Sequence, residues 1–162
     1  MTNVKKFTAK VTALLLALSL ALLSVPQVNF TVFADDDLGS VRVIVENTTF
    51  TEAVSGGNAP AWTGTKVDKW VSLDKTSGAL TCIKDAIESS GFTQQGADDG
   101  YISEIAGLAA FDGGSMSGWM GTLNDWFTNE GFTAYTVANG KLASGDEIRM
   151  QYTMDWGADL GS

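Results

Sequence analysis

Nineteen Asp and Glu stand against ten Lys and Arg, with no His and one Cys in 162 residues. A Ser-His-Asp triad and a His-bound zinc site both need an imidazole and are excluded. An internal disulfide needs a second thiol and is excluded too. Acid–base chemistry between carboxylates is the remaining catalytic option, with Asp98 and Glu104 or Asp112 and Asp125 as candidate pairs. Such a pair must face one substrate with separated pKa values, and no spacing here enforces that. Asp99, Asp112 and Asp146 adjoin Gly, where turn chemistry accounts for them. A reactive thiol at Cys82 would need a nearby cation or base, His is unavailable, and the residue reads as a small core residue. No Ser–Lys motif is present. The chain is therefore read as non-enzymatic, with no metal site. Aromatic surface is the other resource. Trp119, flanked by Gly118, and the nearby Trp126-Phe127 pair could offer flat apolar faces to a planar ligand. Trp119 could equally be a core residue of a sheet, while Trp126-Phe127 stands among polar residues and is expected to be at least partly exposed.

The elements that must position these residues begin after an N-terminal leader. Lys5, Lys6 and Lys10 precede an apolar run from Val11 to Val25. The small-residue site Val32-Phe33-Ala34 follows, so residues 1–34 read as a signal peptide cleaved between Ala34 and Asp35. The run is about 15 residues, short of the roughly 20 that span a bilayer. No stable membrane span is expected after cleavage. Three of the ten basic residues lie in the leader, so the chain from residue 35 carries seven against nineteen, a net charge of −12. That balance is a poor match to nucleic acid or an anionic membrane. It suits a secreted, extracellular protein, free or associated with a cell surface. Residues 35–40 read as an acidic linker, 41–157 as one domain and 158–162 as a tail.

Within the domain, Val41, Val43 and Val45 alternate with Arg42, Ile44 and Glu46, the period of a strand. Asn47-Thr48-Thr49 matches a glycosylation sequon. A second strand is expected over Lys66–Leu73, with Val67, Leu73 and either Trp70 or Val71 facing inward. Leu80, Ile83 and Ile87 recur at helical spacing from Gly78 to about Ser90, with Ser77 as N-cap and Gly91 as the left-handed terminator. Short strands follow at Tyr101–Ile105 and Trp119–Leu123. A closing strand, Glu147–Thr153, has Ile148, Met150 and Tyr152 on one face. Strands around one helix give an α+β domain, a small mixed sheet packed on one helix in a β-grasp-like arrangement.

The ordered set Val41–Glu46, Leu80–Ile87, Tyr101-Ile102-Ser103, Gly118-Trp119-Met120, Asn124, Tyr135 and Gly145-Asp146-Glu147-Ile148 resembles the transcobalamin-like C-terminal domain. That family has no assigned function and occurs in secreted and surface proteins of gut bacteria. In cobalamin carriers the similar domain closes over a corrinoid. The resemblance implies a ligand side at Trp119, Met120 and Leu123, with Trp126 and Phe127 beside them, and a corrinoid as the small planar ligand. A structural or adhesive module engaging cell-surface components and a carbohydrate-binding module are the alternatives.

Overall fold

The computed structural model describes residues 38–57 and 59–162. The leader, its Ala34–Asp35 cleavage site and most of the acidic linker lie outside the described residues.

Among the described residues, eight strands and one α-helix follow in chain order: β1 (Ser40–Asn47), β2 (Gly64–Ser72), α1 (Ala79–Ser89), β3 (Gln94–Gln95), β4 (Glu104–Ile105), β5 (Leu108–Ala109), β6 (Gly118–Leu123), β7 (Trp126–Phe127) and β8 (Glu147–Thr153). Five of them form a mixed sheet in the order β2-β1-β8-β6-β7. β1 and β8 run parallel at its centre, and the other pairs are antiparallel. The short strands β3, β4 and β5 make a separate small sheet. This is the α+β, β-grasp-like arrangement that the alternation and the single amphipathic segment predict.

Alternation explains the layering, because successive strand residues point to opposite faces. Val41, Val43 and Val45 of β1 join Ile148, Met150 and Tyr152 of β8 and Val67 of β2 on one face, all nearly solvent-free. Cys82, Ile83, Ala86 and Ile87 of α1 belong to the same apolar cluster. Of the two inward choices in β2, Val71 packs on the core and Trp70 is exposed. The opposite face carries a ladder of charges. Arg42 bridges Asp68 at 2.7 Å and Glu147 at 3.0 Å, and Arg149 bridges Glu147 at 2.7 Å and Glu46 at 2.9 Å.

Several local expectations are corrected. The helix cap is Gly78, not Ser77. Ser77 instead exchanges hydrogen bonds with Asp74, and the Gly78 N–H is taken by the Thr81 hydroxyl at 3.0 Å. The helix ends as expected: Gly91 has φ +82°, its N–H reaches Glu88 O, and the Phe92 N–H reaches Ile87 O, a Schellman closure. Tyr101–Ile105 is not one strand, since only Glu104 and Ile105 pair. Gly96 and Gly100, both at positive φ, bracket a tight 3₁₀ turn over Ala97–Asp99 and swing Tyr101 out of line. The Asn47 sequon is closed in the folded chain. Asn47 is fully buried, and its amide donates to Phe50 O and Trp62 O at 2.8 and 2.7 Å. Ser40 already opens β1, and Ala158–Leu160 form a 3₁₀ turn anchored through Asp159 to Thr153 and the Met154 N–H.

Candidate functional site

Strand β6 is the organising element, paired with β8 along its length but with β7 only at Thr122 and Leu123. Trp119 points from β6 into the core and is 3% exposed. Its ring lies over Trp62 at 5.7 Å and meets Tyr152 edge-on at 5.2 Å. Its indole N–H donates to Leu108 O at 3.1 Å. An indole so packed, with its one donor satisfied, is a core residue. Of the two readings of Trp119, burial therefore decides for the core. The residue still forms part of the wall of two clefts.

The first cleft, of about 200 Å³, lies beside β6 and is lined by Leu80, Tyr101, Met120, Phe127 and Phe132, with Trp119 at its back. Gly121 sits against Phe132: a Cβ there would come within 2.0 Å of the ring. Three of the sequence-chosen residues, Trp119, Met120 and Phe127, meet at this cleft. Leu123 is half-buried against the core and Trp126 is 80% exposed at the β6–β7 hairpin, and neither lines it. The hairpin turn is held by Asn124 and Asp125, both at positive φ, as the tolerance of these types for that region allows.

The second cleft, of about 360 Å³, is lined by Tyr101, Phe111, Met116, Met120, Thr153 and Trp156. Sequence reasoning missed Phe111, Met116 and Trp156. They lie in Gly-rich loops that the chain brings together through the Trp156 N–H, which donates to Met116 O at 3.0 Å. The available signal was an aromatic residue placed inside a turn sequence, Phe111 before Asp112-Gly113-Gly114 and Trp156 before Gly157. Tyr101 and Met120 form the ridge shared by both clefts. The Tyr101 hydroxyl accepts from the Trp119 N–H at 3.3 Å. Gly96 makes room for Tyr101, since a Cβ there would sit 2.1 Å from the Tyr101 carbonyl oxygen.

The carboxylate pairs do not assemble. Asp98 pairs with Lys84 at 2.7 Å, whereas Glu104 accepts from Gln95 at 2.8 Å. Asp112 closes a turn onto the Ala109 N–H at 2.8 Å, and Asp125 belongs to the β6–β7 hairpin. Cys82 is buried, and desolvation, helped by the charges of Asp85 and Asp74, pushes its thiol up to about 11. Among the described residues, no group of three or more His, Cys, Asp or Glu could hold a metal ion. No helix among them is long and apolar enough to cross a membrane.

Residues 78–154 match the family model of a domain of unknown function (DUF4430). Among solved structures, haptocorrin in complex with Cbi is similar over 72% of this chain, at 18% identity and a TM-score of 0.50. The match spans a quarter of haptocorrin's length. This likeness shows a shared fold. A protein of Ruminococcus gnavus thought to bind metal is similar over 71% of this chain and 96% of its own, at 14% identity and a TM-score of 0.37. A search of the curated proteins finds no match.

Proposed function

We propose that the chain is a secreted, non-catalytic binding module whose ligand is a corrinoid or a similar flat molecule lying over the first cleft. The observation that carries this reading is the meeting of Met120, Phe127 and Tyr101 around an apolar recess beside β6, in a fold shared with haptocorrin, which is solved with a corrinoid. The recess is too small to engulf a macrocycle. The ring would rest across its mouth, with Phe127 and the Met120 thioether as apolar support. The absence of His means that imidazole is not offered to the cobalt. Binding here would rest on shape and apolar contact alone.

The test uses the chain from Asp35, mixed with cobinamide or cobalamin and passed over a sizing column. Corrinoid absorbance co-eluting with protein supports the reading, and Phe127→Ala, at the mouth of the cleft, should reduce it. No retained absorbance at about 100 μM ligand sinks it. Secretion is tested separately, by whether the protein recovered from culture medium begins at Asp35.

A second reading, sugar stacking, is favoured by Trp126, which is 80% exposed. Glycan-array binding that disappears in Trp126→Ala would select it. A structural or adhesive role in a surface protein would stand if both ligand tests came back empty.

A further inference from the structure

The second cleft has three properties that the corrinoid reading does not use. Phe111 and Trp156 are held at φ +71° and +50°, a region that bulky side chains avoid. They are 62% and 66% exposed, so burial does not explain why the chain holds them there. Such conformations cluster where a ligand is met. Further, the ring faces are unclaimed. The cation–π contacts among the described residues run from Lys66 to Trp62 and Phe92 and from Lys141 to Tyr135, and none reaches Tyr101, Phe111 or Trp156. Finally, the charged residues adjacent in the chain to the lining residues are all acidic. No Lys or Arg lines it. Asp112 follows Phe111, Asp155 precedes Trp156, and the exposed Asp155 makes no ion pair among the described residues.

Two of the hydroxyls at hand are already committed. The Ser117 hydroxyl donates to Gly114 O at 2.8 Å and lies 3.1 Å from the Tyr152 hydroxyl. The Thr153 hydroxyl bonds Asp159 and accepts the N–H groups of Asp155 and Gly157. A sugar, with many hydrogen bonds to make, would leave groups unpaired here. A cation without N–H groups would not. It would gain from ring faces and polarizable thioethers alike.

We propose that the cleft between Phe111, Met116 and Trp156 binds a quaternary ammonium group of the choline class. Tyr101, Phe111 and Trp156 present ring faces to the cation, Met116 and Met120 contact its methyl groups, and the flanking carboxylates supply a negative field. This site shares its ridge with the first cleft but does not depend on the corrinoid reading.

The experiment is an NMR titration of the chain from Asp35 with choline and, in parallel, with 3,3-dimethyl-1-butanol, its uncharged isostere. Choline should shift the indole signal of Trp156 with a dissociation constant near or below about 1 mM, and the neutral alcohol should bind at least about fivefold more weakly. Trp156→Asn, which suits the left-handed backbone, should weaken choline binding about tenfold or more. Asp155→Asn, which keeps every ring, should weaken it a few-fold. Equal binding of choline and the alcohol, no shift by about 10 mM choline, or full binding by Trp156→Asn with a native amide spectrum would each overturn the proposal. Phe127→Ala should leave choline binding intact, so failure of the corrinoid reading and failure of this one are distinguishable.

Discussion

The rings of Phe50, Trp62, Trp119 and Tyr152 lie 5.2–5.8 Å from one another in sequence of contact, all at most 8% exposed. Tyr101, Phe111 and Trp156 are at least half exposed, and none is in ring contact among the described residues. The two sets share residue types and differ in what holds them. Trp119 and Tyr152 sit on regular strands, where the pleat directs them, Phe50 and Trp62 pack against them from loops, and burial stabilises all four. The outer rings hang on turns, two of them against the preference of their own backbone. Strain of order 1–3 kcal/mol per residue persists only where surrounding structure enforces it. The inner set is explained by stability, and the outer set is not.

Four substitutions or titrations break or sharpen this contrast. Trp119→Ala should cost about 3–5 kcal/mol in denaturant unfolding, because it empties the centre of the inner stack and strands the Leu108 carbonyl. A loss below about 1 kcal/mol would mean that Trp119 is not the core residue its burial implies. Gly121→Ala places a methyl against the Phe132 ring and should cost about 1–3 kcal/mol by thermal melt, with the first cleft reshaped. Asp68 is held below its usual value, chiefly by the hydrogen bond from Arg42. Its contribution is present above the unfolded carboxylate value near 4 and is lost as pH falls through the lower folded value. Stability of the parent should therefore fall more than that of Asp68→Asn as pH drops below about 4, by a modest amount at so exposed a pair. Smallest of all, Trp156→Gly should leave stability unchanged or raise it by up to about 1 kcal/mol, since Gly accepts the conformation without strain. A clear loss would show that Trp156 supports the fold.

Legibility in the sequence followed the same division. β1, α1 and β8 were readable because period two and period 3.6 survive over seven or more residues. The strands β3, β4 and β5 are two residues each, too short for any period to show, so Tyr101–Ile105 read as a strand that the Gly96 and Gly100 turns break up. The first cleft was half legible. Met120 and Phe127 were chosen, while Leu80, distant in sequence, and Phe132, in the irregular segment after β7, were not. Trp119 could not be assigned because the same residue type serves core and surface. The second cleft was invisible because Met116 and Trp156 lie in loops just beyond the paired ends of β6 and β8, where no period shows, and are joined by a backbone hydrogen bond.

The central parallel pair β1–β8 has a mechanical consequence. Arg42 lies beside Glu147, and the register runs without a shift to Glu46 beside Gln151. Tension applied to the chain before Ser40 and after Thr153 would pull these two strands past each other lengthwise. Their evenly spaced hydrogen bonds would then carry the load together instead of opening one at a time. If the module is tethered in a surface protein, it is built to resist stretching along the chain.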